Sequence, residues 1–404
     1  MTPLRAFAEA ATSGRRDRAR RLLDAQPEIA DDPWAGLVLG RGWDGDPSAP
    51  GGPLGWRPLL YACHSCFASA DLARELLARG ADPNATFTNE YGEMSALYGA
   101  AGVVHDPELT RVLLEAGADP DDGESLYHSV EADDTACLRL LLEHGATPAG
   151  TAALAHALDD DKLAHVALLL DAGADPDEGA VLVHAVRRGC GPELLRLLAG
   201  RGADLERRGG EYSTPPEQHR TAYQNAVLRG REDLAAVLEE LGASTAVEPG
   251  DRAVAALACG ERLPEPLPAE LGADARETLI LAALRGRLDA VVDALGLDLA
   301  GCVGGSPPGT LLHHASWVGD ARAAARLLEL GADPAARSGA EFDTPLAWAV
   351  LGSEHHALGG RDYVGVAERL VAAGAPIEPR FAGVAEGPLA AWLKLSSGPS
   401  APPS

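Results

Sequence analysis

Apolar residues along this chain fall into two kinds of short block that alternate from about residue 5 to residue 393. One kind ends in paired leucines and a turn: LLARGADP (76–83), LLEAGADP (113–120), LLEHGATP (141–148), LLDAGADP (169–176) and LLELGADP (327–334). Looser copies occupy 197–205, 238–245 and 370–377. Their leucine and alanine spacing predicts an amphipathic helix. The glycine just past its end supplies the positive φ of a helix terminus, and Asp-Pro keeps the helix from resuming. Gly80, Gly117, Gly145, Gly173 and Gly331 are these terminators. The other kind lies upstream and is rich in alanine: SALYGAAGVV from Ser95, ESLYHSVEAD from Glu124, AVLVHAVRRG from Ala180, TLLHHASWVG from Thr310. It predicts a second, shorter helix. Helix, tight turn, helix, Gly-Ala-Asp turn is therefore the unit, repeated about eleven times.

The first-helix frame reads T-L-L-H-H-A over Thr310–Ala315, close to T-P-L-H-x-A. Together with Gly-Ala-Asp-Pro it resembles the ankyrin-repeat proteins over nearly the whole chain. The resemblance implies an all-α ankyrin-repeat solenoid of about eleven helix pairs, each unit stable only when stacked on its neighbours. It also implies that His313 hydrogen-bonds backbone and ties neighbouring turns, and that β-hairpin fingers protrude between pairs. Units starting at residues 95, 124, 152 and 180 are only 28–29 residues apart. That leaves room for two helices and little else, so the fingers are expected to be short or missing in the middle. Pro264, Pro266 and Pro268 forbid an ordinary helix where the second helix of the unit from Asp251 belongs. The expected organisation is an N-terminal array over 1–245, an interrupted repeat or hinge over 246–276, a C-terminal array with a cap helix over 277–395, and a disordered tail over 396–404.

Composition narrows the function. Aromatic residues are 4% of the chain, yet Trp34, Trp43, Trp56, Phe87, Tyr91, Tyr212 and Phe342 all fall in the longer connections (26–56, 84–94, 205–220, 335–343). With Trp317 they are candidates for partner contact, since rings on loops of a rigid scaffold suit recognition. The competing reading has them cover the open sides of neighbouring helices. Formal charge is −26, which repels nucleic acid. Residues 115–180 hold 16 acidic side chains against Arg139 and Lys162, a net −14. Ordinary turns and helix caps account for such acids, and a basic partner is the alternative. Lys162 and Lys394 are the only lysines, a bias that points to a GC-rich bacterial genome.

Six cysteines without a regular framework fit a reducing compartment. Cys63, His64 and Cys66 form half of a zinc motif with no second knuckle. His128, His156 and His184 share one frame position, 28 residues apart, as does His314. Packed helices lie about 8–10 Å apart, too far for one shared metal. A metal- or pH-responsive ligand-binding module that uses these Cys and His residues is the alternative function. His355 and His356 lie in an insertion and are expected to be exposed. No nucleophile elbow, phosphate loop, zinc-protease motif or dinucleotide fingerprint occurs, so catalysis, cofactors and metals are not expected. No stretch reaches the roughly 18–20 apolar residues of a membrane span. The expectation is a cytoplasmic, monomeric, non-catalytic scaffold that binds a protein partner.

Overall fold

The computed structural model describes residues 2–89, 91–210, 218–248, 250–264, 266–295, 309–339, 343–355, 361–385 and 387–396, the side chains of 354, 355, 382 and 383 excepted. Tyr212, Phe342, Cys302, His356, the His355 side chain and the expected tail beyond 396 lie outside this description. The chain divides into two compact units, Met1–Asp204 and Leu205–Ser404.

The first unit opens with α1 (Pro3–Thr12) and α2 (Arg16–Ala25). The long connection after them is not a plain loop: it contains the extra helix α3 (Pro33–Val38), capped by Asp32 and started by Pro33. Four of the five pairs that follow are α4 (Pro58–His64) with α5 (Ala70–Ala78), α6 (Ala96–Tyr98, running on as a π-turn over Gly99–Val103) with α7 (Pro107–Glu115), α8 (Ser125–Ser129) with α9 (Ala136–Glu143), and α10 (Ala153–Asp159) with α11 (Leu163–Asp171). The fifth is α12 (Val181–Arg188) with α13 (Pro192–Gly200). The antiparallel hairpin β1 (Thr86–Asn89) and β2 (Gly92–Ser95), Phe87 opposite Met94, is the one sheet among the described residues. Connections between α9 and α10 and between α11 and α12 carry no strand.

In the second unit α14 (Ala222–Leu228) pairs with α15 (Glu232–Glu240), and α16 (Asp251–Cys259) stands without a mate. Then come α17 (Ala273–Ala282) with α18 (Leu288–Leu295), α19 (Leu311–Trp317) with α20 (Ala321–Glu329), α21 (Pro345–His355) with α22 (Tyr363–Ala372), and the short α23 (Phe381–Val384) before the terminal α24 (Gly387–Ser396). No helix among the described residues is long and apolar enough to cross a membrane.

The turn explains the recurrence of leucine and glycine together. Leu76, Leu113, Leu141, Leu169, Leu198 and Leu327 are fully buried, each four residues before a turn glycine. Each such leucine carbonyl accepts a hydrogen bond from the alanine after that glycine, at 2.9–3.1 Å. This closes a Schellman turn, which needs a left-handed residue at its centre. Gly80, Gly117, Gly145, Gly173 and Gly331 supply it with φ of 92–97°. Burying one such leucine contributes roughly 1.5–3 kcal/mol, and stacking does the burying: α5 packs on α7, α7 on α9, α10 on α12, α19 on α21 and α20 on α22.

The shortened units show strain of their own. With no finger, the chain enters α10 and α12 through Ala152 and Ala180, at φ 58° and 57°. A methyl group is disfavoured there by about 1–2 kcal/mol. Ala152 is exposed, so its methyl packs against little. Ala152→Gly is expected to stabilise the chain by up to about 1 kcal/mol, seen as a higher urea midpoint at unchanged slope. A lower midpoint would mean that backbone entropy outweighs the strain.

Candidate functional site

A row of rings runs along the first unit. Tyr61 in α4 is fully buried. Its hydroxyl donates to the Gly51 carbonyl (2.9 Å) and accepts from the Leu54 amide (2.8 Å), so it shapes the 51–56 loop from below. Trp34 and Trp56 both lie 5.4 Å from the Tyr61 ring. Trp43 packs on Trp34 at 4.2 Å, while Gly51 and Gly52 approach Trp34 so closely that a Cβ on either would clash. Phe87 on β1 stacks on Trp56 at 3.9 Å. His64 joins Trp56, Phe87 and Tyr98 at 5.2–5.6 Å. Tyr98 meets His128 at 5.1 Å, and Tyr127 stacks flat on His156 at 4.3 Å.

From His128 onward, carboxylates join the row and make it a ladder of alternating imidazoles and acids. His128 Nδ1 lies 2.7 Å from Glu131, and His156 Nε2 lies 3.1 Å from the same oxygen. His156 Nδ1 faces Asp159 at 3.2 Å, and His184 Nε2 faces the other Asp159 oxygen at 2.7 Å. Arg188 adds a contact to Asp159 at 2.9 Å. Each acid sits three residues after a histidine: Asp159 is the last residue of α10, and Glu131 follows the end of α8 by two residues. The next unit's histidine reaches back to each acid. His156 presents both ring nitrogens to carboxylates, which only accept, so the geometry calls for the doubly protonated ring. Its hydrogen bond from Nε2 to Glu131 is the main reason its pKa is raised, with Asp159 adding to it against burial. Burial alone would lift Glu131, but the hydrogen bonds from His128 and His156 outweigh it and hold the carboxyl at about 2. Asp159 is lowered in the same way, burial being outweighed by His184 and His156.

These shifts fix a pH window. A histidine with a raised folded pKa contributes fully below its unfolded value near 6.5 and loses that contribution as pH climbs. The two lowered carboxyls contribute above their unfolded values of about 4–4.5 and lose it as pH falls. Protection of α8, α10 and α12 against hydrogen exchange is therefore expected to peak between about pH 4.5 and 6.5, after correction for intrinsic exchange. His156→Gln is expected to flatten the high-pH side, and an unchanged profile in that variant would contradict the pairing.

The other predicted residues are placed as follows. Tyr91, in the hairpin turn, is 81% exposed, whereas Trp34, Trp43, Trp56 and Phe87 are half-buried against one another. Trp317, in the second unit, is half-buried and meets Trp348 edge-on at 6.1 Å, its carbonyl accepting from the Tyr363 hydroxyl. His313 is buried: its Nδ1 accepts from the Thr310 amide (3.1 Å), and its Nε2 donates to the Asp343 carbonyl (2.9 Å). His314 faces Trp348 at 5.2 Å. Within Cys63, His64 and Cys66, His64 donates from Nε2 to the Ser95 carbonyl (2.8 Å), and burial drives its pKa down to about 4. Burial pushes the Cys63 thiol far up. Among the described residues no group of three or more His, Cys, Asp or Glu is arranged to hold a metal.

Part of the acidic strip stitches turns together. Asp121 accepts from the Thr147 amide (2.6 Å), Asp177 from the Asp204 amide (2.7 Å) and Asp122 from the Ser125 amide (2.8 Å). Sequence reasoning treated the histidine row and the acids Glu131 and Asp159 separately. Their common 28-residue period shows that both recur at fixed places in the unit, but not that they meet. Tyr61, Tyr98 and Tyr127 carried no signal beyond their place in the helix frame.

Residues 54–86 match the family model of the ankyrin repeat. Two solved structures are similar. The human ASB11 ankyrin repeat domain is 20% identical, with a TM-score of 0.39, covering 59% of this chain and 99% of that one. The ankyrin repeat domain of Bcl-3, described as a unique member of the IkappaB protein family, is 23% identical, with a TM-score of 0.37, covering 53% and 87%. No curated protein matches the chain.

Proposed function

We propose that this chain, which carries an ankyrin repeat at 54–86 and the same helix-pair unit in both its halves, is a non-catalytic scaffold that binds a protein partner along the ring row of its first unit. Ankyrin repeats are in general protein–protein interaction modules. The observation that carries this reading is Tyr91: an 81% exposed ring on a hairpin whose Phe87 is locked onto Trp56. A rigidly mounted exposed aromatic binds with little ordering cost and is the kind of side chain on which interface energy concentrates. The ladder's imidazoles and carboxylates are bonded to one another rather than poised around a cleft, which supports a binding role over a catalytic one. Exposed Asp133, Asp134, Asp160 and Asp161 beside it favour a partner with a basic face. The chain is inferred to act in the cytoplasm as a monomer.

The test is affinity purification from the native cell with the intact chain and two variants. Tyr91→Ala is expected to weaken capture of the partner at least about tenfold. Leu395→Ala, equally exposed at 85% but in the second unit, is expected to leave it unchanged. Equal capture by both variants would exclude the hairpin as the binding edge.

A further inference from the structure

Some neighbouring second helices elsewhere in the chain are joined by arginine–carboxylate pairs. Arg74 of α5 pairs with Glu108 of α7, and Asp289 of α18 pairs with Arg326 of α20 at 2.8 Å. After α15 this pattern stops. α16 packs on α14 and α17 as a first helix does, but Gly260 ends it at φ 78°, and residues 261–264 and 266–272 contain no helix. The place of its missing mate is an open groove of about 690 Å³ between α15 and α16.

Both walls of the groove present small residues at the same helical spacing: Ala235 and Ala236 followed by Glu239 on α15, Ala255 and Ala256 followed by Cys259 on α16. Such walls let another helix backbone approach to about 8 Å. The α15 edge is acidic, whereas Arg252 on α16 and Arg262 just past it place two exposed cations on the opposite side. Glu232 and Glu239 stand two turns apart on α15, both exposed, and neither has an ion-pair partner among the described residues. Asp233 occupies in α15 the place that Asp289 occupies in α18, but its arginine is the adjacent Arg231, which meets both of its oxygens at 2.8 and 2.7 Å, so Glu232 and Glu239 are the acids left for a partner.

We propose that this groove receives a short amphipathic helix of a partner protein. An alanine- and leucine-rich face lies on α15 and α16, and arginines or lysines two turns apart meet Glu232 and Glu239. The helix completes the interrupted unit from outside the chain. The surface shares no residue with the ring row, so its fate and that of the first reading are separable.

Cys259, exposed within the groove, supplies the readout, with half-buried Cys66 of the first unit as internal reference. The full chain is alkylated with N-ethylmaleimide, and each cysteine is followed by peptide mass spectrometry. The probe is a synthetic helix of about fourteen alanines and leucines with two arginines seven positions apart. The peptide is expected to slow Cys259 at least about tenfold at saturation and to leave Cys66 unaffected. Protection should vanish in the double variant Glu232→Arg, Glu239→Arg and return with a glutamate-bearing peptide. Since both positions are exposed, circular dichroism of that variant should match the parent. Unchanged Cys259 reactivity up to about 1 mM peptide, or equal protection in the charge-reversed variant, would overturn the proposal. So would a Cys259 that is unreactive in the chain alone and released by removing 397–404 or by dilution. Those outcomes would assign the groove to the chain's own end or to a second copy.

Discussion

Replacing Arg220 by methionine is expected to destabilise the second unit by about 3–5 kcal/mol at pH 8, the range for removing one partner of a buried ion pair. Arg220 lies just before α14. Its guanidinium meets both oxygens of Asp251, in the first turn of α16, at 3.1 and 3.0 Å. It also lies 3.7 Å from Asp274, in the first turn of α17. The three side chains are 11%, 3% and 0% exposed. One cation thus ties three successive first helices, and both acids face the positive end of a helix dipole. Burial raises the Asp251 pKa even with Arg220 pulling it down, so without the arginine it should rise further. A carboxyl with a raised folded pKa holds its proton more tightly folded than unfolded, and stability then falls as pH climbs above about 4. The loss should therefore be smaller at pH 5 than at pH 8. Urea unfolding at both pH values measures it. A loss below about 1 kcal/mol at pH 8, or a larger one at pH 5, would contradict this account.

The second large effect concerns Lys162. Its ammonium donates to the carbonyls of Val130 (2.8 Å), Glu131 (2.7 Å) and Ala132 (3.0 Å), just past the end of α8. These carbonyls continue the C-terminus of a five-residue helix, where no further helical turn supplies donors and the negative end of the dipole favours a cation. The side chain is only 16% exposed. Lys162→Met is expected to cost about 2–3 kcal/mol and to speed hydrogen exchange throughout α8. Lys162→Arg should recover only part of this, because a planar guanidinium does not place three donors toward converging carbonyls. Stability of the methionine variant within about 0.5 kcal/mol of the parent would show the contact to be incidental.

The helix pairs and their turns were legible because their requirements are local. A Schellman turn needs φ > 0 at its centre, so glycine marks each one wherever it stands. The tie between units was legible only where the usual residue makes it. His313 bonds to the Asp343 carbonyl from the expected frame position. His64 makes the same kind of bond to Ser95 from a full turn later in its helix. Gln224, the reciprocal partner of Thr221 in a capping box, reaches the Ala246 carbonyl (3.2 Å). The physical need is a donor that reaches the next turn, and several side chains meet it.

The ring row and the ladder were legible as lists but not as an arrangement. That an imidazole of one unit falls on the acid of the preceding one depends on the stagger between neighbouring helices, which spacing along the chain leaves open. Among the loop aromatics, the extra helix α3 and the Tyr61 hydroxyl gather Trp34, Trp43 and Trp56. The Tyr61 hydroxyl has no signature in the sequence, and α3 is marked only by the Asp32-Pro33 start of a six-residue helix. Tyr91 differs from them because a two-stranded finger carries its turn into solvent.

Photo-crosslinking from position 91 tests the central claim most directly. A benzophenone side chain in place of Tyr91, irradiated in the native cell, is expected to trap one protein partner that the same group at position 395 does not trap. A partner that crosslinks from 395 and never from 91 would contradict the assignment of the binding edge to the first unit.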